Sequence, residues 1–164
     1  MLVTLHRPAL VDDRKRLGEV IAVLEEISHT APVLFPAHPR TIANLERWEL
    51  ELPPRVRIAR PLDYAEFIAL EGEARLVITD SGGVQEETTV LGTPCLTYRD
   101  STERPITVTQ GTNKLVGLDP GARREAGSAV LAEPPPAEAP RIPLWDGSAG
   151  PRAAAAIAAA LAGD

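Results

Sequence analysis

A chain of 164 residues with 44% apolar side chains suits one packed domain, or one domain with a tail. Its single cysteine, Cys95, rules out an intrachain disulfide framework and any cysteine-rich metal site. A net charge of −6 disfavours a nucleic-acid backbone as partner, yet leaves room for one local basic pocket around a small phosphate. No apolar run approaches the roughly 18 residues of a transmembrane helix, so no membrane association is expected. The first residues, where His6 and Arg7 break the apolar run, do not read as a signal peptide, and a reducing cytoplasm is the expected location.

In chain order, residues 2–5 form a short apolar run that reads as a strand. Leu17, Val20, Ile21, Leu24 and Ile27 recur at spacings of three and four and predict a helix, with Asp12 or Asp13 as its cap. Residues 32–35 make a second strand, 41–48 a short helix and 56–58 a third strand. Asp63 and Glu66 have the spacing of a capping pair for a helix running through Leu70. Residues 76–78 follow as a fourth strand, 83–91 as a helix stopped at Gly92, 95–98 as a fifth strand and 115–116 as a candidate sixth. Strands alternate with helices, and the strands are continuous apolar runs rather than two-faced ones. That pattern predicts a doubly wound, Rossmann-like parallel sheet over residues 1–118, with its ligand beyond the carboxyl ends of the strands. After Pro120 the composition changes. Residues 121–131 admit one weak helix, and five prolines between 134 and 143 suggest an extended stretch, so 119–149 is expected to be a weakly structured connector. Residues 150–164 are expected to form an alanine-rich helix with Pro151 in its first turn, packed on the domain or on a partner.

The informative motif is Asp80-Ser81-Gly82-Gly83-Val84-Gln85-Glu86-Glu87, at the end of a predicted strand and the start of a predicted helix. Adjacent glycines permit a tight turn and let backbone amides approach a ligand, the helix N-terminus adds partial positive charge, and Ser81 adds a hydroxyl. Together these suit an anion, most naturally a diphosphate. Glu87, one turn on, suits a ribose diol. The plain alternative is a strand-to-helix turn with a charged surface, and the pattern is neither Walker A nor G-x-G-x-x-G.

Three other segments belong to the same rim. Arg99-Asp100-Ser101-Thr102-Glu103-Arg104-Pro105 follows the fifth strand, and Arg104 has the donor fork for phosphate oxygens. The alternative there is a solvated loop with an internal Arg–Glu pair. His6-Arg7 follows the first strand, where His6 can donate to a phosphate or carry a proton. His38-Pro39 follows the second and suits a turn. His29 near a helix C-terminus needs no more than a dipole contact, and Cys95 reads as a buried apolar residue.

Taken in order, Thr-Leu-His-Arg-Pro at 4–8, His-Pro at 38–39, Pro-Leu-Asp-Tyr at 61–64 and Thr-Asp-Ser-Gly-Gly-Val-Gln-Glu-Glu at 79–87 form a distinctive series. Leu-Gly-Thr-Pro at 91–94, Arg-Asp-Ser-Thr-Glu-Arg-Pro at 99–105, Gly-Thr at 111–112, Leu-Val-Gly at 115–117 and Asp-Gly-Ser-Ala at 146–149 extend it. The series resembles the C-terminal domain of the non-hydrolysing UDP-N-acetylglucosamine 2-epimerases, which serve cell-surface polysaccharide synthesis. The resemblance implies one half of a two-domain architecture of glycosyltransferase-B type, with the active site between the halves. It also implies interconversion of UDP-GlcNAc and UDP-ManNAc by elimination and re-addition of UDP, with no metal and no nicotinamide cofactor. It casts His6, Ser81, Gly82 and Gly83 as the diphosphate site, Glu87 as ribose ligand, Phe67 as uracil contact and Arg104 as a group near diphosphate and sugar. His6 and Arg104 are the candidate catalytic residues. From its bare spacing Phe67 would be a core residue.

The family's N-terminal domain, which supplies the carboxylates handling the C2 proton, has no counterpart in this sequence. The chain alone is therefore not expected to epimerise, and an N-terminal epimerase domain is an expected partner, as is a second copy, since the family tends to dimerise. Where the family has Glu-Asn after His-Arg-Pro, this chain has Ala9-Leu10, so a polar cleft-facing pair becomes apolar. Ile106 stands where the family has Glu. The competing readings are a stand-alone UDP or UDP-sugar binding module and half of a hydrolysing epimerase or UDP-sugar glycosyltransferase.

Overall fold

The computed structural model describes residues 1–162. Its strands are β1 (Leu2–Thr4), β2 (Val33–Pro36), β3 (Val56–Ala59), β4 (Val77–Thr79), β5 (Cys95–Thr97) and β6 (Asn113–Leu115). Its helices are α1 (Pro8–Val11), α2 (Arg14–Ser28), α3 (Pro39–Arg47), α4 (Tyr64–Glu73), α5 (Gly82–Leu91), α6 (Pro105–Thr109), α7 (Pro120–Ala132) and α8 (Ala149–Ala162). The strands make one sheet in the order β3-β2-β1-β4-β5-β6, every neighbouring pair parallel. This is the expected doubly wound α/β topology. Parallel neighbours require crossovers, and the helices that make them cover both faces, which is why the strands carry apolar residues on both sides.

One face buries Val3, Leu5, Val33, Phe35, Ile78, Leu96 and Tyr98 under Leu10 and Val11 of α1, Val20, Leu24 and Ile27 of α2, and Ala126 and Leu131 of α7. On the other, Leu2 and Val77 pack with Val84 of α5 and with Phe67 and Leu70 of α4. The split follows strand parity, since Leu2 and Val3, or Val77 and Ile78, point to opposite faces. Each fully buried Leu, Val or Ile contributes about 1.5–3 kcal/mol relative to exposure.

The local signals behave as their chemistry dictates. Asp13 caps α2 by accepting from the Arg16 amide at 3.0 Å, while Asp12 turns aside to Arg40 and Asn44. Asp63 and Glu66 form a reciprocal capping box. Gly92 ends α5 at φ 76°, and a Cβ there would lie 2.8 Å from the Ala139 Cα, so glycine also admits the proline-rich segment that crosses at that point.

The connector expected from residue 119 is corrected. α7 occupies 120–132, is capped by Asp119 accepting from the Ala122 amide at 2.7 Å, and packs against α2 so closely that a Cβ on Gly127 would stand 3.1 Å from Ile27 Cγ2. The extended stretch is confined to residues 133–148, and Ile142 within it is buried. The helix reads weakly in sequence because a core-facing position is Arg123, buried with its guanidinium 4.4 Å over the Tyr98 ring and Nε donating to the Gly117 carbonyl at 3.1 Å. No residue of α8 is buried. Among the described residues no helix is long and apolar enough to cross a membrane.

Candidate functional site

The strand order reverses direction between β1 and β4, and in such sheets the crevice beyond their carboxyl ends receives the ligand. Asp80, directly after β4 and 1% exposed, ties the two strand ends together. Its carboxylate accepts from the His6 amide at 3.2 and 3.0 Å and from the Arg7 amide at 2.8 Å, and the His6 ring places Nδ1 3.1 Å from Asp80 Oδ1. The hydrogen bond to Asp80 raises the His6 pKa above its ordinary 6.5. With Nδ1–H committed to Asp80, Nε2 is the free nitrogen, and the favoured imidazolium presents Nε2–H as a charged donor.

Facing this loop is the start of α5. Ser81 is the N-cap residue, yet its side chain makes no capping bond. Its amide donates to Thr79 Oγ1 at 3.0 Å, which leaves its hydroxyl uncommitted at the mouth of the helix. The first-turn amides of a helix lack intrahelical partners and carry its partial positive charge. The glycines belong to the helix itself rather than to a tight turn before it, and neither has a positive φ. A Cβ on Gly82 would meet nothing within 4 Å, and one on Gly83 only Ser81 Oγ at 4.0 Å. Backbone strain and internal packing therefore do not demand glycine here. The chemistry left for the two glycines is bare amides open to an anion.

The 99–105 loop forms the third wall. Part of it is committed internally, because Arg99 grips Glu103 with two hydrogen bonds, 2.9 and 2.6 Å, holding the Glu103 carboxyl down to about 2. The loop is fastened through Gln85 of α5, whose Oε1 accepts from Thr102 Oγ1 at 2.6 Å and from Asn113 Nδ2 at 3.1 Å while its Nε2 donates to the Ser81 carbonyl at 3.0 Å. Asn113 in turn takes Thr97 Oγ1 at 2.7 Å and donates to Thr107 Oγ1 at 3.2 Å. Arg104 stands at the N-cap position of α6 without a side-chain capping bond, and its Nε lies 3.0 Å from Glu86 Oε1.

The nucleoside candidates lie on α4 and α5. Phe67 is half-buried against Leu2, Val77 and Val84, so it is part core and part surface. Glu87 is also half-buried, and burial raises its pKa while a hydrogen bond from Tyr64 opposes the rise. His6, Ser81, Gly82 and Gly83 thus share the switch-point rim with Arg104 on its α5–α6 side, and Phe67 and Glu87 sit lower between α4 and α5. Sequence reasoning missed Asp80, Gln85 and Asn113 as organisers, although the first two stood in the quoted motif. It also missed α1 and α6, each with proline at its start. The substitution at 9–10 does not turn an apolar pair into the cleft: Ala9 is exposed, but Leu10 is buried in the core. His38 caps α3, its Nδ1 accepting from the Arg40 amide at 3.2 Å. Burial pushes the Cys95 thiol up to about 12, which makes it inert. No group of three His, Cys, Asp or Glu among the described residues is placed to hold a metal ion.

Sheet order, a crevice at the switch point and open amides at a helix start define the doubly wound class of domain that receives nucleotides at this position. The family model described as UDP-N-acetylglucosamine 2-epimerase matches residues 1–158, and the chain belongs to that family. The UDP-N-acetylglucosamine 2-epimerase of Methanocaldococcus jannaschii is 43% identical over 122 residues, covering 71% of this chain and 33% of that protein. The UDP-2,3-diacetamido-2,3-dideoxy-D-glucuronate 2-epimerase of Pseudomonas aeruginosa is 47% identical over 118 residues, 71% of this chain and 33% of that one. The crystal structure of the Methanocaldococcus jannaschii enzyme in complex with UDP-GlcNAc and UDP matches with a TM-score of 0.83 at 36% identity, over 96% of this chain and 44% of that one. The chain thus spans about a third of the length of these curated relatives.

Proposed function

We propose that this chain is the UDP-binding half of a UDP-N-acetylglucosamine 2-epimerase, and that it completes its active site with an N-terminal domain. The observation that carries the reading is the Ser81 hydroxyl and the bare amides of Gly82 and Gly83, open at the switch point opposite the Asp80-bound His6. In this reading the diphosphate rests on those donors, Arg104 exchanges Glu86 for a phosphate oxygen, Glu87 accepts from the ribose diol and the Phe67 ring faces uracil.

The chemistry asked of this half is electrostatic. As the bond between the sugar C1 and the diphosphate oxygen breaks, negative charge grows on the leaving oxygen. Preorganised donors aimed at it lower the barrier, and the same donors hold UDP until it adds back to C1 on the glycal. Removal and return of the C2 proton fall to carboxylates of the other half. Such a substrate is a cytoplasmic nucleotide sugar, and the active species in this reading is a homodimer of two-domain subunits. The 47% identity to the diacetamido-glucuronate epimerase favours a second substrate reading, in which UDP is held identically and the other half selects a different sugar.

Calorimetric titration with UDP tests the assignment. Wild type is expected to bind, and Ser81→Ala and Arg104→Ala each to weaken binding by about tenfold, the worth of one hydrogen bond to a charged group. A folded chain that ignores UDP overturns it. ManNAc product from UDP-GlcNAc is expected only when an N-terminal half is supplied, and a robust rate from the chain alone overturns that division of labour.

A further inference from the structure

Glu71 is a buried group among the described residues to which the rim gives no task. It stands on α4 four residues after Phe67, on the same side of the helix, and is 0% exposed. Both of its carboxyl oxygens lack a hydrogen-bond partner. Around it, Glu87 approaches from α5, Tyr64 shares its helix and the Cys95 thiol lies on β5, while Glu86 acts on Glu87. No cation among the described residues pairs with it. The Glu71 backbone carbonyl accepts from Thr93 Oγ1 at 2.9 Å, which fixes this turn of α4 to the loop that follows α5. Glu71 is therefore built into the α4–α5 seam from which both nucleoside contacts, Phe67 and Glu87, are held.

A buried carboxylate with no partner takes up a proton rather than carry its charge. Burial first, and the Glu87 charge second, push Glu71 up to about 8. As a neutral acid it is tolerated in the seam. Once ionised, it is a second negative charge beside Glu87, whose own charge is eased by the Tyr64 hydrogen bond while that of Glu71 has no partner.

We infer that Glu71 is a positioning residue for Phe67 and Glu87, closing the α4–α5 seam while protonated and loosening it when ionised, so that nucleotide hold falls as the medium turns alkaline. The inference rests on the proposed UDP site. Its test is UDP calorimetry at pH 7 and pH 9.5 on wild type, on Glu71→Gln (the same shape without the charge) and on Glu71→Met as a second uncharged variant. His6 and UDP itself titrate alike in all three, and the Tyr64 hydroxyl, raised chiefly by Glu87 and least by Glu71, differs only by that last influence. The difference between proteins therefore reports the Glu71 charge, directly and through Tyr64. Wild-type affinity is expected to fall about tenfold more than that of either variant, which corresponds to ligand binding moving one group by one pKa unit. Amide exchange over 64–73 and 82–91 is expected to speed up at pH 9.5, beyond the intrinsic pH effect, in wild type alone. Equal losses of affinity in wild type and a folded variant overturn the role. If no protein binds UDP at either pH, the nucleotide reading fails by itself, and equal exchange in wild type and variant then overturns the seam as well.

Discussion

Asp80 holds His6 twice, through its amide and through its ring Nδ1, and so joins the ends of β1 and β4 with one buried carboxylate. Asp80→Asn keeps the shape but turns a donor toward donors. The expected cost is about 1–3 kcal/mol, the penalty of unsatisfied buried groups, read from denaturant unfolding. Because the His6 pKa is raised, its ion pair with Asp80 contributes stability that is fully present below 6.5 and is lost as pH rises through the folded value. Wild type should lose stability across that window, and Asp80→Asn should show a flatter profile. The His6 ring should titrate lower by NMR in the variant than in wild type, since burial and the Arg7 charge both lower it once Asp80 is neutral.

Ser81 separates binding from folding. An N-cap serine replaced by alanine ordinarily costs about 1 kcal/mol, but this hydroxyl makes no capping bond. Ser81→Ala should therefore change the unfolding free energy by less than about 0.5 kcal/mol while UDP affinity falls. A large loss of stability would place the hydroxyl in the fold rather than in the site.

Gln85 is the opposite case. Its amide serves Thr102, Asn113 and the Ser81 carbonyl at once. Gln85→Leu strands those partners in a buried setting and is expected to cost about 2–4 kcal/mol, with amide exchange across residues 99–105 speeding up. An unchanged exchange pattern would mean that the loop is held by the Arg99–Glu103 pair instead.

The Arg104–Glu86 pair is about half exposed, so its stabilising contribution is small, at most about 1 kcal/mol. Glu86→Gln should leave thermal stability nearly unchanged. It should tighten UDP binding by up to about fivefold, because the phosphate no longer competes with a carboxylate for the guanidinium. Weaker binding would show that Glu86 orients Arg104 rather than occupying it.

The capping box at Asp63 and Glu66 and the Gly92 stop were legible because their partners lie within a few residues. The sheet was legible because its strands are apolar on both faces. The short α1 and α6 were not, since four or five residues cannot display a helical period and only Pro8 and Pro105 marked them. Arg123 weakened the signal of α7, which the sequence showed only as a weak helix over 121–131, by placing a charge where the pattern needed an apolar residue. Asp80 was visible as a motif member, but its work is done across 74 positions of sequence, a distance at which no local rule operates. Gln85 likewise means nothing until two loops and a strand converge on it.

α8 stands apart from all of this. Its fourteen residues are mostly alanine, none is buried, and Arg152 reaching back to Asp146 at 2.9 Å anchors only its first turn. A helix of that length without packing sits near the edge of stability in water and frays progressively rather than all at once. Heating this chain should therefore give a circular dichroism signal at helical wavelengths that slopes from the lowest temperatures, well before the domain gives way in a single step. A version ending at residue 148 should show a level baseline and an unchanged midpoint.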